Sequence, residues 1–221
     1  MKPVAWSYSR LDSYETCPRK FWHLNVKKDL KEVESDAMVE GKTTHKAFEL
    51  FLRDGKALPI HLRIHQPALT MIAASKGEKL IEQQIALDVN WQPVEWYSKD
   101  AWLRVKSDLT QYSGAYGVVW DWKTGRPHED FTQLNLNAVV LLHLAPEIEV
   151  VTPAYYWTKN RLVQAGDRVK RSDAAEIWGP ILKRVAVYQE AHDKQDFPPR
   201  EHPYFCRGCV VTDCQFWKPK K

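Results

Sequence analysis

The chain has 221 residues, a formal net charge of +4, 44% hydrophobic and 27% charged residues, and four cysteines. That size supports a well-buried core in one domain with an extension, and the charge admits a polyanionic partner without demanding one. The longest apolar run, 138-AVVLLHLA-145, is far too short to span a bilayer.

The first residues, Met1-Lys-Pro-Val-Ala-Trp-Ser, lack the apolar segment of a signal peptide, so a cytoplasmic location is expected and the cysteines are poor candidates for disulfides. Ten tryptophans are many for a chain of this length. Their flat faces suit base stacking, although ordinary packing accounts for most of them.

In chain order, Ser9-Arg-Leu-Asp12 reads as a helix N-cap with an acid three residues on, opening a short helix that ends near Cys17, before Pro18. Residues 27-KKDLKEVESDA-37 read as a charged, mobile connector or a solvated helix. From Ala37 to Arg53 the spacing is helical, with Thr44, Phe48, Phe51 and Leu52 on one face. A second helix is predicted over 67–81, with its proline in the first turn. Strands follow around 82-EQQIALDV-89, 93-PVEWY-97, 101-AWLRVKSDL-109 and 117-GVVWDWK-123. Helical spacing returns from Glu129 to Leu144. Two strands, 150–159 and 161–165, turn at Asn160. A long helix over 173–192 contains Gly179-Pro180, expected to kink it. The Pro-rich tail from Phe197 holds three cysteines. The pattern is α/β (α+β): a central mixed sheet flanked by helices.

Candidate chemistry begins at 117-GVVWDWKTGRP-127. Strand alternation puts Val119, Asp121 and Lys123 on one face, and Val118, Trp120 and Trp122 on the other. If the preceding strand pairs with this one around 112-YSGAYG-117, Asp108 joins Asp121 and Lys123 on a shared polar face. Two carboxylates bind a hard divalent cation through oxygen, and a lysine beside them can orient the attacking water in phosphodiester hydrolysis. The alternative is a solvent-facing hairpin with cross-strand ion pairs. The tripeptide Asp-x-Lys is not diagnostic alone, since Asp29-Leu-Lys31 and Asp54-Gly-Lys56 also occur. His45, on the edge of an apolar helix face, is either a hydrogen-bonded core residue or a nitrogen ligand for the same cation. Gln133 opens the helix after the Asp-Trp-Lys strand and shares a stripe with Leu136, Val140 and Leu144, so if buried it needs a polar partner. In the tail, Cys206-x₂-Cys209-x₄-Cys214 is a compact thiolate group, with Cys17 distant in sequence. Zinc, an iron–sulfur cluster and unliganded thiols all remain open on spacing alone.

The ordered set 7-SYSRLDSYETCPRKFW-22, 41-GKTTH-45, Asp108 within 104-RVKSDL-109, 121-DWKTG-125, Gln133 and the cysteine triplet resembles the RecB-like branch of the PD-(D/E)XK nuclease superfamily. It is similar to the iron–sulfur nucleases of CRISPR adaptation and their phage relatives. The resemblance implies a restriction-endonuclease-like core. It implies Mg²⁺ or Mn²⁺ held by His45, Asp108, Asp121 and the Trp122 carbonyl, with Lys123 positioning the water and Gln133 supporting the site or the DNA. It implies a [4Fe–4S] cluster on Cys17, Cys206, Cys209 and Cys214, with Zn²⁺ as the alternative, joining the N-terminal helix to the tail. Arg10, Arg19, Lys20, Lys42 and Arg126 are candidate DNA contacts because they flank the matching motifs. The chain departs from the family pattern at Val105, where Gly is common, and at Asn137, where Tyr is common.

The reading is a single nuclease domain. Residues 37–196 are its catalytic core, and 1–36 with 197–221 form the cysteine subregion. The expected function is a metal-dependent deoxyribonuclease, an exonuclease on single-stranded DNA or DNA ends, in the cytoplasm of a bacterium or a phage-infected host. The resemblance places it in recombination, repair or CRISPR-like processing, with protein partners in such a complex and no membrane. The alternatives are a non-hydrolytic DNA-binding module of the same fold and a zinc-stabilised interaction protein.

Overall fold

The computed structural model describes residues 3–219. The strands form a seven-stranded sheet in the order β2-β1-β3-β4-β5-β6, with β7 also paired to β5. They are β1 (Glu78–Leu87), β2 (Pro93–Val94), β3 (Leu103–Ser113), β4 (Tyr116–Lys123), β5 (Val150–Trp157), β6 (Leu162–Ala165) and β7 (Val169–Lys170). The helices are α1 (Tyr8–Thr16), α2 (Pro18–Phe21), α3 (Asp36–Asp54), α4 (Gln66–Ala74), α5 (Thr132–Leu144) and α6 (Ala174–Lys194). The sheet is mixed, as expected: β3 and β4 pair antiparallel, whereas β4 and β5 pair parallel, with α5 between them in the chain. A parallel pair needs such a crossover.

The chain divides into two compact units. One comprises Ser35–Ile85 and Val105–Gly179. Within it, alternation along the strands feeds two apolar clusters. Val119, Val151, Tyr155 and Trp157 pack with Leu134, Ala138 and Leu142 of α5. Leu109, Trp122 and Tyr156 pack with Phe48 of α3 and with Leu69 and Ile72 of α4. The sheet is therefore covered on both faces, in keeping with the nearly continuous apolar run of β5.

The other unit comprises Met1–Glu34, Ala86–Arg104 and Pro180–Lys221. Its centre is a ring of edge-to-face aromatics, with Tyr14, Phe21 and Phe197 around Tyr188 and His192. The Arg184 guanidinium grips both oxygens of Glu15 at 2.7 Å, joining α6 to α1.

Several boundaries differ from the sequence reading for local reasons. The N-cap of α1 is Ser7, whose hydroxyl accepts the Arg10 amide, not Ser9. The helix predicted over 67–81 stops at Ala74, and β1 begins at Glu78, before the expected 82. Ser75, the C-cap, is already extended, and at the entry to β1 Gly77 has φ +109° with a Cβ there meeting the Tyr112 carbonyl oxygen at 2.3 Å. The strand expected over 93–97 shrinks to Pro93–Val94, and the 150–159 strand ends at Trp157 with Arg161 left-handed in the turn. α6 runs through Pro180.

Candidate active site

The β3–β4 ladder pairs Tyr112 with Gly117 and Leu109 with Trp120. Carried one residue further, that register sets Asp108 opposite Asp121. The hairpin premise of the sequence argument thus holds, and the carboxylates share a face as alternation requires. At this point Asp108 departs from simple pairing: its Oδ2 accepts the Trp122 amide at 2.7 Å. Its Oδ1 lies 2.9 Å from His45 Nδ1 of α3, so one carboxylate ties a helix to two strands.

Asp121 is only 9% exposed. Lys123 Nζ lies 2.8 Å from its Oδ2, near enough to pair by charge, yet off the direction of a hydrogen bond, so this buried oxygen has no directed donor. Burial first, and then the charge of Asp108, push the Asp121 pKa up to about 6 despite Lys123 and His45. Burial acts to lower the His45 pKa, but the Asp108 hydrogen bond, the charges of Asp108 and Asp121 and the Trp122 backbone outweigh it and raise the value. Both shifts describe a site with surplus negative charge.

Sequence reasoning missed Glu82 of β1. Ligand atoms of His45, Glu82 and Asp108 all lie within 4.8 Å of one another, an N/O/O set suited to a hard divalent cation. Asp121 is outside that set but interacts with the charges of Asp108 and His45 while its Oδ2 pairs with Lys123. These residues fit Mg²⁺ or Mn²⁺. Glu82 has φ +56°, an uncommon conformation for a non-glycine residue inside a strand, and this breaks the alternation that would have marked it.

The remaining predicted residues divide. Gly41 of α3 sits against Thr124, whose Oγ1 would lie 3.4 Å from an added Cβ, so the 41–45 and 121–125 motifs meet. Trp122 is 1% exposed and packs in the cluster opposite the carboxylates. Gln133 is half-buried in the first turn of α5, and no hydrogen bond joins it to His45, Asp108, Asp121 or Lys123. Asn137, the departure from the family pattern, is buried and donates to Lys106 O at 3.1 Å and Ser107 Oγ at 3.0 Å, fixing the residues just before Asp108. Lys42 lines a groove with His45, Lys46, Glu82 and Lys106. Arg126 is exposed. In the other unit, Arg10 is held by the Tyr188 hydroxyl and the Phe21 ring, Arg19 lies over Trp22, and Lys20 pairs with Glu32 at 2.5 Å.

That unit also brings all four cysteines to one cavity, lined as well by Arg19, Lys20 and Arg200. Among the described residues, no three of the four sulfurs lie within 4.8 Å of one another. A tetrahedral zinc at about 2.3 Å from each sulfur would draw them to within roughly 3.8 Å. The His202 amide points at Cys206 Sγ at 3.2 Å.

The family model of the PD-(D/E)XK nuclease superfamily matches residues 5–214. This chain belongs to that superfamily. Nucleases of that superfamily use divalent metals, and His45, Glu82 and Asp108 form a group able to hold one. No curated protein matches the sequence. Among solved structures, a putative exonuclease from Eubacterium rectale is similar at TM-score 0.55 and 10% identity, over 98% of this chain and 91% of that one. The protein SSO0001 is similar at TM-score 0.48 and 14% identity, over 99% of this chain and 89% of that one. An alkaline exonuclease from Laribacter hongkongensis is similar at TM-score 0.42 and 12% identity, over 86% of this chain and 92% of that one. No helix among the described residues is long and apolar enough to cross a membrane.

Proposed function

We propose that this nuclease is a metal-dependent deoxyribonuclease working as an exonuclease on single-stranded DNA or DNA ends, with His45, Glu82, Asp108, Asp121 and the Trp122 carbonyl around the cation. The observation that carries the reading is Asp108 opposite Asp121, with His45 bonded to the first at 2.9 Å and Lys123 beside the second at 2.8 Å. A divalent cation in this setting supplies Lewis-acid polarisation of the phosphate and a lowered pKa for the attacking water. Lys123 holds that water through an ammonium hydrogen and offsets charge growing on the phosphate. Asp108 keeps His45 oriented, and the Trp122 amide keeps Asp108 oriented. Gln133, at the start of α5, steadies the DNA near Lys123. Exonuclease action is inferred by analogy with the putative exonuclease from Eubacterium rectale, which shares the fold.

In this reading residues 37–196 are the catalytic core of one nuclease domain, and 1–36 with 197–221 carry a [4Fe–4S] cluster on Cys17, Cys206, Cys209 and Cys214. The reading is supported by the four cysteines lining one cavity, where thiolates can bind the separate irons of a cubane. The protein works in the cytoplasm of a bacterium or phage-infected cell, in recombination, repair or CRISPR-like processing with protein partners.

The test is degradation of end-labelled single-stranded and duplex DNA with Mg²⁺ or Mn²⁺ by wild type, D121A and K123A. We expect wild type to shorten strands from an end, and both variants to bind DNA without cutting it. Equal cleavage by all three would place the chemistry elsewhere. DNA binding with no cleavage by any of them would leave a non-hydrolytic module.

A further inference from the structure

We propose that Lys106 is a phosphate-binding residue held in reserve by Glu82 and released into the groove when the cation site fills. The inference rests on the active-site reading above and extends it to how the DNA backbone is gripped.

Glu82 has two claims on it. Its carboxylate belongs to the set formed with His45 and Asp108, and it is also ion-paired with Lys106 Nζ. With the site metal-free, the ammonium neutralises one of several crowded carboxylates. Once Glu82 turns to a dication, the ammonium faces a like charge of twice its size and loses its partner. The geometry lets it leave: the Lys106 side chain is 49% exposed and that of Glu82 only 16%, so the lysine lies on the solvent side.

Its pivot stays fixed, because Asn137 Nδ2 donates to Lys106 O at 3.1 Å. Lys106 and Asp108 are two residues apart on β3, so they share a face, and a released Lys106 reaches phosphate next to the one at Asp108. The groove it enters is lined by Lys42, Lys46, Glu49 and Gly41. Lys46 does not behave in the same way. Glu49 holds it through both oxygens at 2.9 Å and also pairs with Arg53 at 2.5 Å, and Glu49 is outside the cation set. Cation loading thus frees Lys106 and leaves Lys46 neutralised. The ligand chemistry is a phosphodiester of a nucleic-acid strand, flanking the bond to be cut.

The experiment measures anisotropy of a labelled single-stranded oligonucleotide against wild type, K106Q, K106R, E82Q and E82Q/K106Q, in EDTA and in Ca²⁺, with gels confirming that the strand stays intact. Wild type should bind more tightly in Ca²⁺. K106Q should match wild type in EDTA and fall behind it in Ca²⁺, with a logarithmic salt slope shallower by about 0.7, the share of one phosphate contact on a single strand. K106R should keep the Ca²⁺ gain. E82Q should bind more tightly than wild type in EDTA, and the double variant should lose that gain. Equal weakening of K106Q in both media, no weakening in either, or an E82Q gain that survives in the double variant would overturn the proposal. Wild-type cleavage with Mn²⁺ is measured alongside. Its absence sinks the active-site reading, whereas cleavage with a neutral K106Q sinks only the role of Lys106.

Discussion

Asp108 and Asp121 stand opposite each other one step past the Leu109–Trp120 pair of the β3–β4 ladder, and Asp108 Oδ2 takes the Trp122 amide that another strand would otherwise claim. This fixes Asp108 by a directed bond, while Asp121 is held by its ion pair with Lys123 at 2.8 Å. Two carboxylates so placed repel each other, and a dication relieves the repulsion. The arrangement stores a stability cost in the metal-free protein that the cation removes on binding.

That cost has a measurable sign. Asp121 titrates near 6 in the fold, against an unperturbed 3.8, because burial and then Asp108 disfavour its anion. A raised folded pKa means that the proton stabilises the fold. The contribution is whole below 3.8 and is lost as pH rises through about 6. The loss is on the order of 1–3 kcal/mol by neutral pH. D121N escapes it. In EDTA, D121N should melt above wild type at pH 7.5 and level with it near pH 4, while failing to cut DNA. A D121N protein that melts below wild type at pH 7.5 would mean that the carboxylate is well paired, contrary to this account.

Much of this site was legible because strand alternation is a local property. Parity put Asp121 and Lys123 together, and the 112–117 turn set the register that brought in Asp108. Glu82 was not legible, since its left-handed backbone departs from that alternation and its partners lie on α3 and β3. The end of α4 was not legible either. That helix stops where its C-cap, Ser75, turns to extended backbone, and Gly77 then passes close to the Tyr112 carbonyl, a contact between segments far apart in sequence. Asn137 looked like a departure from a family pattern, and only packing gave it a role.

Gly77 therefore yields a stability test. With φ at +109° and a Cβ position 2.3 Å from Tyr112 O, G77A must move backbone and not a flexible side-chain tip. We expect a loss of at least about 1–3 kcal/mol in urea unfolding, the scale of a residue forced into such a conformation. Unchanged stability would show that the β1 entry adjusts freely.

Asn137 gives a second. N137L keeps approximate size but leaves the Lys106 carbonyl and Ser107 hydroxyl of a buried strand without their donor. The expected cost is about 1–3 kcal/mol. Because these residues lead into Asp108, Mn²⁺ affinity by calorimetry should also fall. Lost stability with unchanged Mn²⁺ affinity would confine Asn137 to packing.

The cysteine cavity sets the last test. Four sulfurs line it with no three inside 4.8 Å, beside Arg19, Lys20 and Arg200. The proposed occupant is an iron–sulfur cubane, with one tetrahedral zinc as the alternative. Protein purified without oxygen should be yellow-brown, absorb broadly near 400 nm, as thiolate-bound iron does, and carry iron and sulfide in equal amounts. C17S and C206S should each bleach that band and lower the melting temperature, since Cys17 follows α1 and Cys206 lies in the tail. The metal-site carboxylates lie in the other unit, so Mn²⁺ affinity of C17S should stay near wild type wherever the fold persists. A colourless protein with one zinc per chain would overturn the cluster and show that the sulfurs close on a smaller ion.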